Sequence, residues 1–138
     1  MRRFLIPVLL TVSGALLIYI AIALLFLPAA FYESHGVTLS QDPGLMSEVR
    51  APGGMLLIAG FIIGWGSFRH CMARLSRRIS AIVYGGYGVS RLISLALDGA
   101  PSQALMTAMV IELVLAGLAL MALRQPRSRW AVSCVARS

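Results

Sequence analysis

The 138-residue chain is 59% hydrophobic and only 12% charged, with a mean hydropathy of +0.85. Soluble domains carry about twice that share of charged residues, so the composition excludes an ordinary soluble core and predicts one domain that faces lipid. The net charge is +7, and all twelve basic residues are Arg. They lie at the ends of apolar segments, a placement that indicates membrane topology and argues against nucleic-acid binding.

Four apolar stretches have the length needed to cross a bilayer as helices, the second at the short end of the range. Each must be a helix, because hydrocarbon offers no partners to an unpaired backbone. The first run is longer than the core of a typical signal peptide, so we interpret it as an uncleaved helix. The sequence therefore predicts an all-α, four-transmembrane-helix bundle with spans at about 4–27, 52–68, 79–97 and 103–123 and a basic tail at 124–138.

Arg residues are distributed very unevenly between the two sides that these spans define. Ten of the twelve lie in the N-terminal segment, the 69–78 connection and the tail, and the other side has Arg50 together with four acidic residues. The positive-inside rule then predicts that both termini are cytoplasmic, with the 29–51 loop and the 98–102 turn outside. We expect the chain to lie in the cell inner (plasma) membrane.

Small residues on the spans predict close helix packing in lipid. Gly60 and Gly64 form a G-x-x-x-G pair on the second span, and Pro52 suits the first turn of that helix. The two cysteines, Cys71 and Cys134, lack the spacing of a disulfide framework. Because the topology places both on the reducing side, we expect free thiols.

Two ionisable residues, Arg91 and Glu112, fall within the spans. A charge there costs about 2.5–3.5 kcal/mol on insertion scales, so it usually faces protein or water. In an antiparallel hairpin of the third and fourth spans, Arg91 lies opposite residue 109, one turn from Glu112. We predict that the two side chains pair. Arg91 could instead extend to the interface, and the pair could be purely structural.

Further polar residues surround this predicted pair and define a seam that opens outward between the second, third and fourth spans. No catalytic, cofactor-binding or metal-binding motif is present, so we predict no catalytic residue, no cofactor and no metal. The candidate binding residues are Glu48, Arg50, Tyr84, Tyr87, Arg91, Asp98 and Glu112.

Four segments resemble one known family. They are LPAAFY after the first span, DPGLMSEVRAPGG before the second, YGGYGVSRLISLALDGAPS in the third and the turn, and IELVLAGLAL in the fourth. Together, over roughly residues 5–123, the chain resembles the bacterial membrane family of domain of unknown function 4345. The resemblance implies a small four-helix membrane protein and supplies no activity. It favours Glu48, Arg50, Arg91, Asp98 and Glu112, which lie in the matching segments.

Three functions are compatible with these features. The first is a non-catalytic membrane protein that binds a lipid, a small hydrophobic molecule, a membrane-protein partner or a second copy of itself. The second is a small proton-coupled transporter that uses the buried Glu112. The third is a membrane enzyme on a lipid-like substrate, with Glu112 or Asp98 as acid or base.

Overall fold

The computed structural model describes residues 2–69 and 71–124, with side chains from Leu5 onward. These residues form five α-helices and no strand: α1 (Arg2–Phe26), α2 (Pro28–Glu33), α3 (Pro43–Phe68), α4 (Ala73–Asp98) and α5 (Gln103–Leu123). All except α2 are long and apolar enough to cross a membrane, which confirms the predicted class. The predicted tail beyond Arg124 lies outside the described residues.

α3 begins well before the predicted second span. The Asp42 carboxylate accepts a 2.9 Å hydrogen bond from the Leu45 amide, and Pro43 occupies the first helical turn. This cap starts the helix in the segment that hydropathy assigns to a loop. The expectation that Pro52 begins the helix is therefore wrong, because Pro52 lies in the interior of α3. The helix is about 39 Å long, which exceeds a bilayer core of about 30 Å.

The last two spans form an antiparallel hairpin. α5 has the predicted bounds, whereas α4 begins at Ala73 and so includes three Arg residues that hydropathy excluded from the span. Gly99, at φ 91°, ends α4 in the left-handed region that favours glycine. A Cβ on Gly88 would lie 2.7 Å from Leu113 Cδ2, so the missing side chain lets α4 and α5 approach closely.

The G-x-x-x-G pair packs against α1. A Cβ added to Gly14 would lie 2.7 Å from the Gly64 nitrogen and 2.8 Å from the Gly60 carbonyl oxygen. Since these are backbone atoms, they cannot yield as a flexible side chain would. The predicted close contact is confirmed, and α1 and α3 form the most extensive helix pair in the described chain.

Two side-chain hydrogen bonds join the α1–α3 pair to the α4–α5 pair. The Ser76 hydroxyl donates to the Ile62 carbonyl over 2.7 Å and occupies the space that a side chain on residue 66, a glycine, would need. The Tyr84 hydroxyl donates to the Ser13 carbonyl over 2.6 Å. α3 and α5 share no extensive interface, so the four spanning helices are two pairs joined mainly through α3 and α4.

The expectation of free thiols is wrong for Cys71, which is disulfide-bonded. Cys134 lies outside the described residues. The expectation rested on spacing along the chain, which does not report distance between residues of different elements. It also rested on the predicted orientation of the helices, and a disulfide is uncommon on the reducing side of a membrane.

Candidate functional site

Arg91 and Glu112 form the one ion pair found among the described residues. Arg91 Nε lies 2.9 Å from Glu112 Oε2, and the two side chains retain 32% and 12% of their exposure. The predicted pairing of these side chains is confirmed. Because the Glu112 side chain is short and lies well inside α5, it cannot reach the interface. Arg91 therefore pairs with the Glu112 carboxylate within the span.

The register of the α4–α5 hairpin places the pair. Gly88 faces Leu113, and Gly85 faces Ala116, one turn further along both helices. This alignment sets Arg91 opposite residue 110, one position from the expected residue 109. Glu112 then lies within reach of the Arg91 side chain. The small residues that let the helices approach therefore also determine that Arg91 pairs with Glu112.

The two predicted tyrosines both lie near Glu112 but face different neighbours. Tyr84 is only 2% exposed and directs its hydroxyl to α1, where Ser13 accepts it. Tyr87 is half-buried and lies within electrostatic range of Glu112 and Arg91. The structure therefore brings together Tyr84, Tyr87, Arg91 and Glu112.

The other three predicted residues lie apart from this group. Glu48 and Arg50 are exposed on the first turns of α3 and make no ion pair within the described chain. Asp98 is exposed at the end of α4, where its carboxylate accepts a 2.9 Å hydrogen bond from Ser94. α3 packs on α4 but shares no extensive interface with α5, so the second span contacts only one of the two helices that carry the ion pair.

The sequence did not predict that α2 lies beside this group of residues. Tyr32, on this short helix, lies within electrostatic range of Tyr87. The segment that follows is tied to the α4–α5 turn, because Ser102 Oγ donates to the His35 carbonyl over 2.8 Å. The sequence signal for α2 was Pro28, which starts a helix in a segment that we predicted to be a loop.

A buried polar row on α4 also escaped prediction. Ser76, Ser80 and Tyr84 follow one another at intervals of four residues and are all buried. The Ser80 hydroxyl has no hydrogen-bond partner within the described chain, and neither has the hydroxyl of Ser13 on α1. The i, i+4, i+8 spacing was visible in the sequence, but the prediction for this helix used its apolar, glycine, tyrosine and charged residues.

Arg91 has unused donor capacity. A guanidinium carries five N–H donors, and only Nε has an acceptor within the described chain. The remaining donors lie at a partly open surface, where a carboxylate, phosphate or carbonyl oxygen can accept them. The described residues contain no group of three His, Cys, Asp or Glu side chains that could hold a metal ion.

We predict that Arg91→Ala lowers the thermal stability of the protein in detergent, whereas Arg50→Ala leaves it unchanged. Removing Arg91 strands Glu112, at a cost of up to about 3–5 kcal/mol for a buried pair in soluble proteins. The partial exposure of Arg91 reduces this figure. Arg50 is the matched control, since its side chain is exposed and unpaired in the described chain.

Adding Glu112→Ala to Arg91→Ala should recover much of the loss, because no stranded carboxylate remains. If Arg91→Ala and Arg50→Ala melt at the same temperature in one detergent, the ion pair contributes nothing to stability.

Comparison with known proteins identifies the family and gives no function. No curated protein and no solved structure matches the chain. The sequence model of one family, described as Domain of unknown function (DUF4345), matches residues 6–123. This match covers all four helices that are long enough to cross a membrane, except the first residues of α1, together with the ion pair. The chain therefore belongs to the DUF4345 family.

Proposed function

We propose that this protein is a non-catalytic membrane protein that binds a small amphipathic molecule or lipid beside Arg91. The observation that carries the proposal is the partly exposed guanidinium of Arg91, which uses one N–H on Glu112 and leaves the others without an acceptor in the described chain. Donors left without acceptors in an apolar setting are costly. A ligand that bears an anionic or carbonyl oxygen would supply the missing acceptor.

The surroundings of the pair favour a ligand with an apolar part. Leu92 and Ile111, the immediate neighbours of the charged residues on α4 and α5, are both exposed large hydrophobic residues. Tyr87 adds ring surface and a hydroxyl group near the pair, and Tyr32 of α2 lies near Tyr87. Few polar groups within a mainly apolar lining are typical of small-molecule sites. A membrane-protein partner or a second copy of the chain is the rival occupant.

A binding role fits the pair better than catalysis does. Glu112 accepts a hydrogen bond from Arg91 at one oxygen, and the sequence contains no catalytic motif that would give this carboxylate a partner acid or base. Asp98, the other candidate acid or base, is exposed at the end of α4 and bonded to Ser94. It does not join Glu112 in a common site.

The test is a double variant that keeps the geometry and removes the charges. Arg91→Gln with Glu112→Gln leaves two amides that can hydrogen-bond to each other, so we expect the fold to persist and a bound ligand to be lost. The matched control is Glu48→Gln with Arg50→Gln, the same two changes at exposed positions of α3. Each protein is purified in mild detergent, and bound molecules are identified by native mass spectrometry.

We expect the wild type and the control to retain a molecule that bears an oxygen acceptor and an apolar part. An empty wild-type protein, equal occupancy in both double variants, or retention of a protein subunit alone would contradict the proposal.

Proton-coupled transport is the second candidate function, and the buried polar row favours it. Tyr84 lies within electrostatic range of Glu112, and Ser80 and Ser76 continue from Tyr84 along α4. The unpartnered hydroxyls of Ser13 and Ser80 have the capacity to bind water. Rows of this kind in membranes often mark proton or ion paths.

Glu112→Gln tests this candidate, because a glutamine cannot release a proton. Proton uptake into proteoliposomes, driven by a potassium diffusion potential and followed with pyranine, should fall to the rate of empty vesicles. Glu48→Gln is the control and should match the wild type. Proton uptake by the wild type that persists unchanged in Glu112→Gln would exclude the candidate.

We also propose that both ends of the chain face the cytoplasm of a cell whose inner (plasma) membrane holds the protein. The support is the distribution of Arg, with ten of twelve on one side. The disulfide of Cys71 argues the other way, because disulfides are uncommon in the cytosol.

Alkaline phosphatase, which is active only outside the reducing compartment, distinguishes the two orientations. Fused after Arg124 it should be inactive, and inserted after Gly36 it should be active. The reverse pattern would overturn the proposed orientation.

A further inference from the structure

Four Arg residues gather where α4 begins and α5 ends, and we call them the basic cluster: Arg74, Arg77, Arg78 and Arg124. Arg77 fixes the arrangement, because it donates to the carbonyl of Ala122 near the end of α5 and to that of Ala73 on α4. Arg124 follows Ala122 by two residues and is the C-cap residue of α5. Arg74 and Arg78 are exposed, one turn apart on α4.

The positive charge of the basic cluster is not compensated within the described chain. Arg74 lies close enough to Arg77 for the two guanidinium groups to repel each other. The one ion pair of the described residues, Arg91 with Glu112, lies elsewhere on α4. The cluster also sits between the positive end of the α4 dipole, where Met72 provides no side-chain cap, and the negative end of the α5 dipole, where Arg77 donates to the Ala122 carbonyl. A bound anion would relieve the repulsion between the guanidinium groups.

Membrane topology alone does not account for this arrangement. The positive-inside rule explains why Arg residues lie at this end of the helices, but it does not require them to converge. Here the Arg77 guanidinium of α4 is held on the α5 backbone at Ala122, two residues before Arg124. Arg residues at the joined ends of two helices suit a phosphate group, which accepts several N–H donors at once.

The surface beside the basic cluster is apolar. Leu75 and Ile82 on α4 and Leu120 and Met121 on α5 are exposed hydrophobic residues within three turns of the cluster. A free inorganic anion makes no use of such a surface. A phospholipid does, since its acyl chains lie along the helices while its phosphate reaches the Arg residues.

We propose that the basic cluster binds the headgroup of an anionic phospholipid, with the phosphate between Arg74, Arg78 and Arg124. This site is distinct from the one beside Arg91. Arg78 and Arg91 are separated by about 20 Å along α4, so the two sites would hold different molecules. Arg77 orients the cluster by joining α4 to α5, and its variants are not used as a test, because they would also alter the helix packing.

The experiment uses the full chain in detergent with added lipid, followed by native mass spectrometry. Phosphatidylglycerol and phosphatidylcholine of equal acyl chains are compared for the wild type, Arg78→Gln, Arg74→Gln and Arg69→Gln. Arg69 is the matched control, because it is exposed at the same end of the molecule but lies beyond α3, outside the α4–α5 hairpin. Circular dichroism verifies that each variant is folded.

We expect the wild type and Arg69→Gln to prefer phosphatidylglycerol. Arg74→Gln and Arg78→Gln should each bind it about fivefold more weakly. An equal loss in Arg69→Gln would show diffuse attraction instead of a site, and would overturn the proposal. Equal binding of both lipids, or displacement of phosphatidylglycerol by millimolar inorganic phosphate, would also overturn it.

Discussion

Hydrocarbon offers no hydrogen-bond partner to a charge, and the packing of α4 on α5 satisfies this constraint for Arg91 and Glu112. The pair lies in the register of the hairpin that places Gly88 against Leu113. A shift of one turn would separate the two groups by about 5.4 Å along the axis. Packing of small residues and neutralisation of charge are therefore satisfied by the same alignment, and this alignment exposes the unused donors of Arg91.

The rest of the molecule follows from close approach of backbones. Without a hydrophobic driving force between helices in lipid, small residues and interhelical hydrogen bonds supply the association. α1 lies on α3 at Gly14, and Ser76 donates to the backbone of α3. Tyr84 donates to the backbone of α1 in the same way. The Ser76 and Tyr84 side chains thus join the two helix pairs, whereas the buried hydroxyls of Ser13 and Ser80 have no hydrogen-bond partner within the described chain.

The sequence was sufficient for the features that depend on composition and register. Hydropathy identified four spans, G-x-x-x-G identified a close contact, and the hairpin geometry identified the Arg91–Glu112 pair. It failed where helices begin outside the hydrocarbon, because the Asp42 cap and Pro28 act locally and do not alter hydropathy. It was also insufficient for the neighbours of the pair, because order along the chain does not specify which spans are in contact. Glu48 and Arg50 were therefore grouped with the pair, although α3 shares no extensive interface with α5.

The bond from Arg77 to the Ala122 carbonyl has a mechanical consequence. The α4–α5 hairpin is fastened at one end by this bond and at the other by the short turn after Gly99. The α1–α3 pair is held by backbone contact along Gly14. Each pair is thus tied by contacts between its own two helices. Across the boundary between the pairs, the Ser76 and Tyr84 hydroxyls donate to backbone carbonyls of α3 and α1, so this boundary depends on two side-chain hydrogen bonds rather than on contact of backbone with backbone.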